Sequence, residues 1–282
     1  MKLHVGQGTT VGAITIFPVW SDQRVAPSRR YTTSLEDVAI SELEDGPTVP
    51  QLIATNAGAQ PVLVLDGQLF DGGWQHRMAT RSSLLPAGSR TALDVACVEQ
   101  HRWGGTNVQR SRGGRATTYV RDGFERAGGQ SEVWRRVERY GATTTGSLVD
   151  RLQLDGGQAA LVRRVTRPLA GQVGIVVGVG GQPIALEVFD DPRTLVEQYP
   201  AIVRAACLEG VGRTALPTPS RRARRMVERL ERTHLDVEPD VGQTGRLGRA
   251  TSEALSVMSL RHGLRTVHLR ATNRRHPILQ EA

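Results

Sequence analysis

Residues 61–103, PVLVLDGQLFDGGWQHRMATRSSLLPAGSRTALDVACVEQHRW, decide how this chain reads. Three short apolar runs, 61–66, 78–85 and 91–100, are separated by Asp66-Gly67, Asp71-Gly72-Gly73 and Pro86-Ala87-Gly88-Ser89. β-rich runs punctuated by turn formers read as short strands joined by tight turns. Each run delivers polar side chains at its end. Asp66 closes the first, Gln75 and Arg77 open the second, and Cys97, Glu99, Arg102 and Trp103 close the third. A sheet that gathers those ends builds one pocket, so the same stretch places both a fold and a candidate site.

Working outward, residues 11–20 and 49–56 add strands at the same spacing, and the first hundred residues predict an antiparallel sandwich or barrel. Thr33 and Glu36 form a capping-box pattern that predicts a short helix. Residues 106–129, rich in Arg, Gly, Ser and Thr, predict a long loop. Residues 131–140 predict a helix with Ser131 at its N-cap, and 147–152 a second helical stretch. In 174–189, two β-rich runs flank Gly180-Gly181, the signature of a tight hairpin. Asp191-Pro192 then opens a helix that Pro200 should kink or restart. Residues 220–235 carry Ala223, Met226, Val227 and Leu230 at helical spacing, and 266–271 read as a last strand. With no repeat and no strong linker, the expectation is one α+β domain over residues 1–272. It has an N-terminal antiparallel sandwich or barrel-like sheet, with helices and a second hairpin in its C-terminal half. A basic tail, 273–282, follows.

The formal charge is +8 and the isoelectric point about 10.5, and every basic residue except Lys2 is arginine. GC-rich codon usage explains that excess blandly; attraction to phosphate is the competing explanation. The lack of an interior lysine excludes a P-loop and a pyridoxal Schiff base. No apolar run reaches the ~20 residues that cross a bilayer. The N-terminus has no leader pattern and there are two cysteines, Cys97 and Cys207, so the expectation is a cytoplasmic protein with reduced thiols and no membrane partner. Gly178-Val179-Gly180-Gly181 fails as a dinucleotide fingerprint, because Pro183 and a strand follow it. His262 and His268 read as a surface and a strand histidine, and no metal site is expected. On the helix that begins with Arg221–Arg225, the face of Arg222, Arg225, Arg229 and Arg232 lies opposite the apolar stripe. That is a solvated face, with phosphate binding as the alternative.

Cys97 and Glu99 have strand period and share a face. A carboxylate there needs a partner, which Arg77 or Arg102 supplies. Two readings follow: a structural ion pair, or a general base and hydroxyl acceptor beside anion-binding arginines. Cys97 is either a core thiol or a nucleophile that needs an activating base. Trp103 and Trp134 are core residues or stacking surfaces for a planar ligand.

The string Pro61-Val62-Leu63, Asp66-Gly67, Gln75, Arg77, Pro86-Ala87-Gly88-Ser89, Cys97-Val98-Glu99-Gln100 and Arg102-Trp103 resembles the ARG and Rhodanese-Phosphatase-superfamily-associated protein domain family. Arg121, Gln130-Ser131-Glu132-Val133-Trp134 and Thr145-Gly146-Ser147-Leu148 with Asp150 extend the resemblance. So do the hairpin, the Asp191-Pro192 helix and the strand carrying His268. The chain departs from the family pattern at Gln68, commonly an acid, at His76, commonly a small amide residue, and at His101. The resemblance implies a role around ADP-ribose or NAD-derived nucleotides, with ADP-ribose-processing proteins as partners; it names no cofactor. On that reading the chain binds, and hydrolyses, such a nucleotide, with Glu99 and Cys97 as catalytic candidates. Arg77, Arg102 and Arg121 hold phosphate, Trp103 or Trp134 stacks, and Asp66, Gln75 and Gln130 complete the ligand-binding set. The alternative is a non-catalytic nucleic-acid- or protein-binding accessory protein.

Overall fold

The computed structural model describes residues 1–26, 28–141, 143–153, 167–237 and 245–281. The described residues up to 29 and from 167 onward form one compact unit, and those from 30 to 153 form another. The fold is α+β with antiparallel sheets.

The first unit begins with β1 (Leu3–Val5), β2 (Thr9–Val11) and β3 (Ile14–Ser21). The chain then builds the second unit from β4 (Val38–Ser41), β5 (Gln51–Asn56), β6 (Val62–Val64), β7 (Leu69–Gly72), β8 (Arg77–Ala79), β9 (Ser83–Leu85), β10 (Ser89–Cys97) and β11 (Val108–Arg110). Helices α1 (Thr118–Gly123), α2 (Gly129–Glu138) and α3 (Leu148–Gln153) follow. It returns to the first unit with β12 (Gly174–Val179), β13 (Gln182–Phe189), α4 (Pro192–Glu209), α5 (Ser220–Glu231), β14 (Asp236–Val237), β15 (Arg246–Thr251), β16 (Leu255–His262), β17 (Arg265–Asn273) and α6 (Pro277–Gln280).

In the second unit β10, β5, β4, β11, β7 and β8 close into a six-stranded barrel, and β6 pairs with β9 in a separate ribbon. Strand β10 makes the closure possible by changing partners. Ser89–Asp94 pair with β5, and Val95–Cys97 pair with β8. Closure leaves no open edge for another chain to join. Alternation points Leu93, Val95 and Cys97 to one face of β10. Leu93 and Val95 pack with Leu52, Phe70 and Ala79 in the apolar core. Arg77, opposite Cys97 in register, brings a guanidinium to the adjoining end.

In the first unit one sheet runs β1-β3-β12-β13-β17-β16-β15-β14, with β2 added on β3. The hairpin β12–β13 turns on Gly180 and Gly181 at φ 56° and 87°, the positive values a tight hairpin demands. Helix α5 lays Ala223, Met226, Val227 and Leu230 on Phe17, Leu186 and their neighbours. Helix α4 packs on β12 and β13, capped by Asp191, whose carboxylate accepts from the Arg193 amide.

Several expectations change. Thr33 and Glu36 start no helix: the Thr32 and Ser34 hydroxyls instead accept from the amides two residues on, and the chain enters β4. Such local bonds offer the backbone an alternative to helix. Residues 106–129 are not one loop. They hold β11, α1 and a π-helical segment, Phe124–Gly128. Helix α2 starts at Gly129 with Gly128 as its N-cap, ahead of Ser131. Pro200 lies inside α4 without interrupting it. Residues 278 and 279 of the tail are buried in α6. No helix among the described residues is long and apolar enough to cross a membrane.

His276 ties α6 down in a way that requires a neutral ring. Its Nδ1 accepts from the Ile278 amide at 3.2 Å, so the proton sits on Nε2 and is donated to the Val179 carbonyl at 3.1 Å. Burial pushes its pKa from 6.5 down to about 4, against the opposing pull of the Val179 carbonyl. Because the folded pKa is depressed, the linked stability is fully present above 6.5 and is lost as pH falls toward about 4. At 1.36 kcal/mol per unit, that decline is on the order of 3 kcal/mol. Urea denaturation of His276→Asn across the same range should show a shallower loss than the parent chain.

Candidate functional site

The candidate residues gather in the barrel unit, around two buried carboxylates. Glu99 lies just beyond β10 and is 1% exposed. Its Oε1 accepts from Arg102 Nε at 2.9 Å, and its Oε2 from Arg102 Nη2 at 2.7 Å and the His76 amide at 2.8 Å. Burial raises the Glu99 pKa, but the hydrogen bonds from Arg102 and His76 outweigh it and hold the group below the usual carboxylate range. Glu99 is therefore an ionised carboxylate with both oxygens engaged. Arg102 also donates through Nη1 to the Gly73 and Gly104 carbonyls and through Nη2 to Gly72. All five guanidinium N–H groups are used. Arg102 thus engages all of its donors within the protein. It acts as a fastener of residues 72–73 and 99–104.

Gln75, Cys97 and Gln130 form a connected buried network. Gln75 Oε1 accepts from Arg77 Nη1 and from the Cys97 thiol, both at 3.1 Å, while its Nε2 donates to the Glu99 carbonyl at 3.0 Å. The Gln130 side-chain amide pairs with the Cys97 backbone in both directions, at 2.7 and 2.6 Å. The single S–H of Cys97 is shared between Gln75 Oε1 and the Glu99 carbonyl, 2.8 Å from the sulfur, and burial pushes the thiol pKa up. These contacts hold Cys97 as a protonated core thiol. Cys207 is likewise a buried thiol outside any disulfide.

Arg77 is fully buried, and its Nε and Nη2 meet no hydrogen-bond acceptor. It reaches Gln75 and not Glu99, so Arg102 is the carboxylate's partner. Sequence reading missed Glu42 and Gln109, which continue the network. Gln109 Nε2 donates to the Gln75 carbonyl at 2.9 Å and to Glu42 Oε1 at 3.1 Å. Both residues sit in polar stretches outside residues 61–103 that do not single them out, and strand pairing brings them here.

Asp66 forms the second centre. Arg121 Nη1 lies 3.1 Å from its Oδ2, Arg115 Nη2 donates to its carbonyl at 2.8 Å, and Ser82 donates to its carboxylate at 3.4 Å. Gly67, at φ 75°, lets the Arg121 side chain pass, since a Cβ there would strike Arg121 Cδ. Asp66, Gly67, Thr80, Arg121, Phe124 and Glu125 border a small depression with room for about one water-sized group. Part of its wall is the π-helical segment, a feature common at functional sites.

Trp103 is 53% exposed and meets Trp74 edge-on, with ring centroids 5.7 Å apart. Trp134 is half-buried in α2, the helix that also carries Gln130. The candidates therefore fall into a rim cluster (Gln75, Arg77, Cys97, Glu99, Arg102, Trp103, Gln130) and a depression cluster (Asp66, Arg121). His262 and His268 face Arg265 and Leu260 in register, not each other. Among the described residues no three His, Cys, Asp or Glu side chains converge to hold a metal ion.

Removing Arg102 strands Glu99 as a buried charge. Arg102→Ala should lower unfolding free energy by about 3–5 kcal/mol in urea, and Arg102→Lys should recover little of it, since lysine lacks the planar fork. A loss under 1 kcal/mol would show that the pair does not hold the rim.

No curated protein and no solved structure matches this chain. The family model described as the ARG and Rhodanese-Phosphatase-superfamily-associated Protein domain matches residues 2–272, and the chain belongs to that family.

Proposed function

We propose that the barrel unit binds an ADP-ribose- or NAD-derived nucleotide at the rim made by residues 72–76 and 99–104. The family's name ties it to ARG and rhodanese-phosphatase proteins, and so to ADP-ribose-related chemistry. The observation that carries the reading is the Trp74–Trp103 pair. An indole 53% exposed, on a loop clamped by Arg102, is a pre-ordered surface for a planar ring. Rigid aromatic surface of this kind binds with little ordering cost. The depression beside Arg121 has room for about one water-sized group, far less than a small-molecule pocket. A planar ring is therefore left to the indoles.

In a thermal-shift titration, ADP-ribose at a hundredfold excess over Kd should stabilise the chain by ~2.7 kcal/mol. Trp103→Ala, a surface change, should fold normally and lose that shift. Unchanged melting and unchanged tryptophan fluorescence at millimolar ADP-ribose, NAD and AMP would exclude the reading.

One observation favours a second reading, nucleic-acid binding by α5. Arg221, Arg224, Arg225, Arg229 and Arg232 are exposed there, and none of them has an ion-pair partner among the described residues. Each phosphate contact steepens the salt dependence, with a slope of about −0.9 per contact on duplex DNA. Binding of a duplex oligonucleotide should then weaken by at least about tenfold from 50 to 200 mM salt, and Arg224→Ala with Arg225→Ala should flatten the slope by about two. A salt-independent signal, or none, removes this alternative.

A further inference from the structure

We propose that His76 is the proton-transfer group of the barrel rim and that Glu99 is the carboxylate that orients it. This rests on the nucleotide-binding reading above, and it moves the general-base role from Glu99 to the neighbouring imidazole. His76 sits at the entrance to β8. Its Nδ1 lies 2.7 Å from Ser147 Oγ and 3.6 Å from Glu99 Oε2. Glu99 is ionised, since Arg102 donates to both of its oxygens. A carboxylate facing one ring nitrogen favours the proton on that nitrogen. Nδ1 therefore carries the hydrogen, donated to Ser147 Oγ under the field of Glu99, and Nε2 keeps its lone pair.

The surroundings fit an oriented base. Ser147 is itself fixed: its Oγ accepts from the Asp150 amide at 3.3 Å at the start of α3, and its own amide donates to Thr143 Oγ1 at 2.7 Å. Nε2 takes no hydrogen bond from the described residues, and 13% of the His76 side chain is exposed. Burial lowers the His76 pKa more than Glu99 raises it; Arg102 also lowers it, while Asp150 and Asp71 raise it. The ring is consequently neutral near pH 7 and able to accept a proton. Glu99 has no comparable freedom, because both its oxygens are already engaged. Trp74, two residues away in sequence and partly buried, packs edge-on against the exposed Trp103 and brings that indole to the same rim segment.

In hydrolysis of a bound nucleotide, Nε2 takes a proton from water as the water oxygen bonds to the electrophilic centre. The imidazolium so formed is stabilised by Glu99. It returns the proton to the departing oxygen as the bond to the leaving group breaks, so that one water is consumed and His76 is restored.

The first test needs no ligand. Two-bond ¹H–¹⁵N NMR of the full chain at pH 7.5, with the ring assigned by its loss in His76→Gln, should show Nδ1 protonated and Nε2 bare. A ring protonated at Nε2 overturns the proposal. Ser147→Ala should keep the Nδ1–H tautomer, because Glu99 sets it; a switch to Nε2–H in that variant also overturns the assignment. The second test uses ADP-ribose. His76→Gln should keep the thermal shift and lose at least a hundredfold in hydrolysis, the range expected for a general base. If ADP-ribose stabilises the chain but His76→Gln hydrolyses it at the parent rate, the proton-transfer role fails and the binding reading survives. If ADP-ribose does not bind but the Nδ1–H tautomer is found, the binding reading fails and the oriented base remains.

Discussion

The salt bridge between Glu99 and Arg102 holds the candidate site together. One guanidinium donates five hydrogen bonds, two to a buried carboxylate and three to the carbonyls of Gly72, Gly73 and Gly104. Those carbonyls lie on the segment leaving β7 and on the one that follows β10. Without the clamp, two glycine-rich stretches would carry unpaired backbone acceptors at the end of the barrel. With it, Trp74, His76 and Trp103 are presented on a rim that is already ordered.

The same physics recurs across the protein and bears on its arginine excess. Arg77, Arg115, Arg136 and Arg270 are all at most 4% exposed. Arg136 binds Asp122 at 2.9 Å and Glu132 at 2.7 Å. A planar fork with five donors satisfies several buried acceptors at once, which a lysine ammonium does not. Part of the positive charge is thus internal scaffolding, and part, on α5, is solvent-facing. Neither codon usage nor phosphate attraction was framed to separate those two populations; burial separates them.

Local patterns were legible where local chemistry dominates. Gly180-Gly181 turned the β12–β13 hairpin because a tight turn needs positive φ, and Asp191-Pro192 opened α4 because its carboxylate caps the first turn. The apolar spacing of α5 likewise matched its buried face. Patterns failed where a neighbour could override them. Thr33 and Glu36 have helix-start chemistry, yet the strand beginning at Val38 finds β5 and β11 as partners. Residues 106–129 look like a loop because their apolar content is low. Their order comes instead from strand pairing in β11 and from Arg121 reaching Asp66.

The site shows the same division. Sequence alternation alone put Cys97 and Glu99 near one another, flagged a carboxylate in need of a cation, and marked the segment from Asp66 to Trp103 as the place to look. Which arginine answers Glu99 was beyond its reach, because strand pairing could bring Arg77 to Glu99 as readily as sequence proximity brings Arg102, and only the barrel decides where each is aimed. Glu42, Gln109 and Ser147 arrive from strands and a helix start far along the chain, through pairings that no local pattern encodes. Side-chain type and spacing determine what chemistry a segment can perform. Closure of the barrel, through the change of partners along β10, decides which groups meet, because contacts between residues distant in sequence form only when the strands have found their register.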